Sequence, residues 1–180
     1  MVPDTLSGMA SPTGPDGSAA AGAPLRWLSA EETDTWKALV GLLLQVPGPL
    51  DAQLQRDSGL SLFEYLVLSS MSMAPGRALR MSELARLANG SLSRLSNVVK
   101  RLEAVGWVRR CPDPGDGRYT VATLTDEGFA VVEAAAPGHV DAVRRLVIDP
   151  LTAAQQRSLT AISARILAAL QGSGEGAGTC

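Results

Sequence analysis

SLSRLSNVVKRLEAVGWVRR, Ser91 to Arg110, has the form of a helix with two unlike sides that runs into the start of a strand. At helical spacing, Leu92, Leu95, Val98, Val99, Leu102 and Val105 gather on one side. Ser93, Arg94, Asn97, Lys100 and Arg101 gather on the other. The apolar stripe requires a small core behind it. The polar side offers guanidinium forks, an amide, a hydroxyl and an ammonium, the groups that meet base edges and phosphates when a helix lies in a DNA major groove. An ordinary surface helix shows the same division, so the neighbouring segments decide between the two readings.

Upstream, Ser82 opens a short helix over Glu83 to Ala88 with Leu84 and Leu87 as its apolar positions. Asn89-Gly90 supplies a left-handed turn, and Ser91 stands where the next helix needs a cap. Helix, short turn with glycine, helix is the form of a helix-turn-helix. Downstream, Trp107 to Arg110 reads as a strand, Pro112-Asp113-Pro114-Gly115-Asp116-Gly117 as a loop, and Tyr119 to Leu124 as a second strand. Two strands joined by such a loop directly after the second helix make a wing. The expected fold is mainly α with a small β-wing, a winged helix-turn-helix.

Charge agrees with this placement. The chain of 180 residues has a formal net charge of −2, which alone argues against a nucleic-acid partner. Between Pro75 and Arg118, however, nine Lys/Arg face four acids, while the rest of the chain holds seven basic and fourteen acidic residues. Positive charge is thus concentrated in the segment expected to meet phosphates, and exposed charges more than about 8–10 Å away are screened by salt. A content of 46% apolar residues suffices for one core. No signal peptide or membrane-spanning run is read from the sequence, so a cytoplasmic location is expected. The two cysteines are not a disulfide framework.

The pieces LRMSELARLA, LSRLSNVVKRLEAVGWVRR, DPGDGR and LTDEG, in this order, resemble the multiple-antibiotic-resistance-regulator (MarR) family of bacterial transcription factors, closely over residues 60 to 130 and more loosely outside. The resemblance implies a homodimer held by interlocked N- and C-terminal helices, with wings projecting to either side. It further implies binding of double-stranded DNA at a near-palindromic operator, more often as a repressor, relieved by a small aromatic or phenolic ligand. In this reading residues 25–170 form a single domain, with dimerisation helices at 25–58 and 125–170 around a winged helix-turn-helix at 60–124. The Pro-, Gly-, Ala- and Ser-rich residues 1–24 and the stretch 171–180 are expected to be disordered tails.

Outside the central motif, Ser29 and Glu32 form a capping box for a first helix with Trp36, Leu39, Val40, Leu43 and Leu44 on its apolar face. Pro47-Gly48-Pro49 should break or bend it, and a helical piece from Leu50 to Arg56 follows. Leu60 to Met71 reads as a core helix. Thr125 starts a helix with an expected kink at Pro137-Gly138 and a stop at Asp149-Pro150. Thr152 and Gln155 form a second capping box, followed by a helix carrying Leu159, Ile162, Ile166, Ala169 and Leu170. These terminal helices are more apolar than a lone winged-helix domain requires, which agrees with a dimer.

The candidate DNA-binding residues are Ser93, Arg94, Asn97, Lys100, Arg101, Asp116 and Arg118. Arg94 suits a bidentate contact to guanine, although a phosphate contact or an internal ion pair fits it equally. Asn97 suits adenine, Ser93 a base or a phosphate, and Lys100 and Arg101 phosphates. By the resemblance, Arg118 enters the minor groove and Asp116 steadies the wing by pairing with an arginine; Gly117 stands where the family often has a further Arg. Trp27, Trp36, Phe63, Tyr65 and Arg80 are candidates for lining an effector pocket, although core packing explains the aromatics as well. Cys111 lies beside Arg109 and Arg110, whose charge favours a thiolate, so a thiol-based redox regulator is a lesser alternative. The single histidine, His139, is expected at a surface or interface, and no metal site, cofactor or enzymatic constellation is read. The alternative from another class is a winged-helix dimer that binds a ligand or a protein without reading DNA.

Overall fold

Residues 25–174 are described by a computed structural model. The tail read over 1–24 and the last six residues of the chain lie outside the described residues. The chain separates into two units, one ending at Ala38 and the other beginning at Leu39. In the first, the Glu32 amide donates to Ser29 Oγ at 3.1 Å and the Ser29 amide to the Glu32 carboxylate at 2.8 Å, which is the capping box read from the sequence. Helix α1, Ala30–Gln45, starts on this cap.

In the second unit, α2, Pro47–Ser58, begins on a proline, which suits a first turn whose N–H groups have no helical partner. The Pro47-Gly48-Pro49 stretch therefore separates two helices, and the later piece is longer than expected. Helix α3, Leu62–Ser72, has a capping box that the sequence reading missed, with Ser61 Oγ accepting the Glu64 amide at 3.2 Å. Asp51 of α2 accepts the Leu62 amide at 2.7 Å and ties the two helices together.

A single 3₁₀ turn, Pro75–Arg77, leads into β1, Ala78–Arg80. Helix α4, Met81–Leu87, and α5, Leu92–Ala104, follow, then β2, Val108–Pro112, and β3, Thr120–Leu124. The left-handed residue of the helix-turn-helix is Asn89, with φ +50°. The wing strands pair antiparallel, Val108 opposite Leu124 and Arg110 opposite Ala122. The sheet has a third strand that the sequence did not reveal. β1 pairs antiparallel with β3, Leu79 opposite Ala122, giving the order β1-β3-β2. Three residues are too few to show an alternating pattern.

Helix α6, Asp126–Val143, starts on Thr125, whose hydroxyl accepts the Gly128 amide at 3.0 Å. The kink expected at Pro137-Gly138 does not interrupt the helix. α6 packs along α2 there, and a Cβ on Gly138 would stand 3.0 Å from the Gln53 amide nitrogen. The irregularity comes later, as a π turn over Arg144–Ile148. Helix α7, Ala153–Gly174, begins on the Thr152–Gln155 capping box and runs past Leu170, where the tail was expected to begin.

The core joins Leu54, Leu60, Val67, Leu68 and Met71 to Leu84, Leu95, Val99 and Leu102, and closes against Ala122 and Leu124 of the sheet. Phe63 and Tyr65, named as candidate pocket residues, belong to this core. His139, expected at a surface or interface, is half-buried with its ring 4.4 Å from that of Tyr65. Burial pushes its pKa down, and its Nδ1 has no hydrogen-bond partner among the described residues. No helix in the described residues is long and apolar enough to cross a membrane.

One contact fixes α6 against the wing. A Cβ added to Gly128 would lie 2.2 Å from the Trp107 carbonyl oxygen, which is backbone and cannot swing away. Gly128→Ala is expected to destabilise the fold by about 1–3 kcal/mol or more, read as a lower urea midpoint at unchanged slope.

Candidate nucleic-acid interface

The face proposed for DNA is organised from α5 outward. Leu95, Val98, Val99 and Leu102 are buried, so the opposite side of the helix must face solvent. Ser93, Arg94, Asn97, Lys100 and Arg101 are all exposed along it. Leu92 and Val105, read as part of the apolar stripe, are more than half exposed. They occupy the first turn and the C-cap of α5, where the helix extends past the core. Ser91 caps α5 as expected, its Oγ accepting the Arg94 amide at 3.2 Å, and it lies 3.1 Å from the Ser93 hydroxyl.

The cations of this face divide into two groups. Arg101 donates one N–H to Glu64 of α3 at 3.0 Å, while its guanidinium stays mostly exposed. Burial pushes the Glu64 carboxyl up, but hydrogen bonds from Ser61 and Arg101 outweigh it and hold its pKa below the usual value. Arg110 donates through its backbone and guanidinium to Glu103 at 2.6–3.0 Å, linking the end of α5 to β2. Arg94 has no carboxylate partner; its guanidinium lies 4.2 Å from the centre of the Phe63 ring. Among the described residues, Asn97, Lys100, Arg86 and Arg109 have no side-chain hydrogen bond or ion pair.

The wing is held by two carboxylates. Asp113 accepts the Gly115 amide at 2.8 Å and Arg80 Nε at 2.6 Å. Asp116 accepts the Arg118 amide and the Nε and Nη2 donors of the Arg118 guanidinium at 2.6–3.1 Å. Both arginines stand over the Tyr119 ring, Arg80 4.7 Å and Arg118 5.9 Å from its centre. Asp116 thus pairs with Arg118 itself through Nε and Nη2, which leaves the Nη1 donors of an exposed guanidinium unused. Arg80, named for an effector pocket, is part of the wing's internal support and borders an open cleft with Met81, Leu92, Ser96 and Tyr119. Trp27 and Trp36 are exposed. Cys111 is exposed on β2 opposite Val121. No group of three or more His, Cys, Asp or Glu among the described residues could hold a metal ion.

The sequence reading missed Glu64, Glu103 and Asp113, which set the positions of three arginines. Ser61-Leu62-Phe63-Glu64 carries the capping-box spacing that would have located the first. The pairings of the other two depend on how β2 returns beside α5 and how the wing loop comes near the end of β1, which spacing does not reveal.

A recognition helix with a solvent-facing polar side, preceded by a short helix and followed by a braced hairpin, defines a winged helix-turn-helix protein. A profile of the MarR family matches residues 58–118. The fold is similar to Sco3205, a MarR family transcriptional regulator from Streptomyces coelicolor solved in complex with DNA. That similarity has a TM-score of 0.75 at 48% identity, over 82% of this chain and 91% of that one. The HTH-type transcriptional repressor Rv2887 of Mycobacterium tuberculosis is 38% identical over 99 residues, 55% of this chain and 69% of Rv2887. The HTH-type transcriptional regulator PecS of Dickeya dadantii is 36% identical over 74 residues, 41% of this chain, and the match spans only 44% of its length. The chain belongs to the MarR family of transcriptional regulators.

The wing carboxylates set a pH limit. Hydrogen bonds from the Gly115 amide and Arg80 hold Asp113 below its usual pKa, and those from the Arg118 side chain and backbone do the same for Asp116. A depressed carboxyl stabilises the fold above its unfolded pKa of about 4, and that contribution is lost as pH falls through the lower folded value. The amide resonances of Gly115 and Arg118 are therefore expected to hold their folded positions from neutral pH down to about 4 and to shift only below it.

Proposed function

We propose that this chain is a homodimeric, sequence-specific DNA-binding regulator that acts as a repressor at a near-palindromic operator. The α5 helix lies in the major groove and the 112–118 wing in the minor groove. The observation that carries the reading is the exposed row Ser93, Arg94, Asn97 and Lys100, fixed outward by the burial of Leu95, Val98, Val99 and Leu102 on the opposite side. The DNA complex of Sco3205 supports binding to duplex DNA, and the name of Rv2887 supports repression. Residues 25–170 act as one domain, with the DNA-reading lobe at 60–124 between dimerisation helices at 25–58 and 125–170.

Dimerisation is supported by α7, on which Leu159, Ile162, Ile166, Leu167 and Leu170 recur at helical spacing and are all exposed. Leu42, Leu43 and Leu44 of α1 are exposed as well. Apolar surface left in water costs roughly 25 cal/mol per Å², and a two-fold partner removes it. Two copies then present two α5 helices to major grooves about one DNA turn apart. Relief by a small aromatic or phenolic compound follows the family resemblance, as a shift of population toward a lobe spacing that no longer fits two grooves.

Gel shift with the DNA upstream of the chain's own coding sequence, over a salt series, tests the reading. Affinity is expected to fall steeply, with a log–log slope of about −0.9 per phosphate neutralised, and to exceed that for random duplex. A flat response would instead favour a ligand- or protein-binding module. Arg94→Ala is expected to cost about 1–3 kcal/mol at one base pair of the site, whereas Lys100→Ala weakens all duplexes alike and flattens the salt slope by about one. Ile162→Asp with Ile166→Asp is expected to convert the dimer to monomer in light scattering and to abolish the gel shift.

A further inference from the structure

The arginines around α5 are held in two chemically different ways. Arg77, Arg80, Arg101, Arg110 and Arg118 each donate N–H groups to a carboxylate, at distances of 2.6–3.0 Å for the shortest bond. Those donors are already used. Arg94 donates to no carboxylate among the described residues; its guanidinium carbon stands over the Phe63 ring, 4.2 Å from the centre. A ring contact of this kind attracts the cation through the quadrupole of the ring, and the Arg94 side chain makes no hydrogen bond among the described residues, so its N–H donors are not committed to a carboxylate.

The ring itself has little freedom. Phe63 is only 9% exposed, and it lies so close to the helix-turn-helix turn that a Cβ on Gly90 would stand 2.7 Å from its Cζ. Gly90 therefore lets the turn close onto the ring edge, while Arg94 covers its face. The next residue, Glu64, takes Arg101, seven positions along α5 from Arg94 and so on the same side of the helix. The first turn of α3 is itself locked, by the Ser61–Glu64 capping box and by Asp51. Two adjacent residues of a rigid turn thus hold two cations of the recognition face, one by its donors and one without using them.

The geometry points to Phe63 as a positioning residue for sequence readout: its ring holds the Arg94 guanidinium at a set place and tilt with every donor free for a base edge. The inference rests on the DNA-reading proposal and adds where its specificity comes from. Ordering a long arginine on binding costs side-chain entropy, and a side chain already ordered in the free protein avoids that cost. Bidentate recognition of a base depends on the angle of the fork, so a loosened Arg94 loses discrimination more than overall attraction to the duplex.

The test uses the full chain and a duplex selected by it from a random pool. 3,4,5-Trifluorophenylalanine is placed at position 63 alone, which drains the negative face of the ring while nearly keeping its shape; the other phenylalanine, Phe129, also lies against an arginine and is left natural. The preference for the selected duplex over the single-base variants is expected to fall on the order of two- to fivefold at one base pair, with salt slope and thermal unfolding unchanged. In the Arg94→Ala background the same replacement is expected to change nothing. Phe63→Leu is expected to lose the same base-pair preference, which separates the ring's face from its bulk. If wild type reads DNA with a steep salt slope but fluorination leaves its preference intact or tightens binding, the positioning role is overturned and the DNA-reading proposal stands. If wild type itself shows no site preference and a flat salt response, both fall together.

Discussion

Leu95, Val98, Val99 and Leu102 tie α5 to the core, and the rest of the interface depends on that attachment. Each buried side chain contributes roughly 1.5–3 kcal/mol relative to exposure, so four in register leave the helix no other rotation about its axis. Rotating α5 by even one residue position would bury Lys100 or Asn97 and expose a valine or leucine. The polar side is therefore fixed by apolar packing, not by attraction to its partner. α3 supplies much of the surface behind it, with Val67, Leu68 and Met71 fully buried, and its first turn reaches around to Arg94 and Arg101 on the outer side.

Electrostatics refines this frame at short range. The chain is slightly acidic overall, yet its carboxylates are not spread evenly against its cations. Glu103, Asp113 and Asp116 each take one arginine of the wing or its base, and Glu64 takes Arg101. In these pairs a partly exposed guanidinium meets a partly or largely sheltered carboxylate, and their role is geometric: Asp113 and Asp116 brace a loop rich in proline and glycine, while Glu64 and Glu103 tie α5 to α3 and β2. Lys100 and Asn97 are left without such partners among the described residues, and Arg94 rests on a ring. Braced cations at the wing and open donors on the helix are suited to different parts of a duplex, backbone and groove edge in the first case and bases in the second.

Much of this was legible in the chain. The 3.6-residue period of Leu95 to Leu102, the Ser91 cap, the Ser29 and Thr152 boxes and the Gly-rich wing loop are local signals, and each corresponds to an element. What was not legible depends on contacts between distant segments. β1 is too short to alternate and exists because β3 offers it an edge. Pro137 lies inside a continuous α6, and what its local chemistry does not reveal is the contact of this turn with α2. Leu92 and Val105 follow the apolar period and are exposed because the core ends before the helix does. The partners of Arg80, Arg101 and Arg110 lie 33, 37 and 7 residues away. Arg94 was placed on the correct side of its helix, while the ring that holds it belongs to a different helix and could not be read from spacing.

The central claim is that the polar side of α5 is the surface that meets duplex DNA. Amide and arginine side-chain resonances followed during titration with a duplex selected by the protein test it most directly. The account predicts that the largest shifts fall on Ser93, Arg94, Asn97 and Lys100, with a second group at Asp116 and Arg118. Shifts confined to α7 or to the α2–α6 contact, with the α5 row unmoved at saturating duplex, would contradict it.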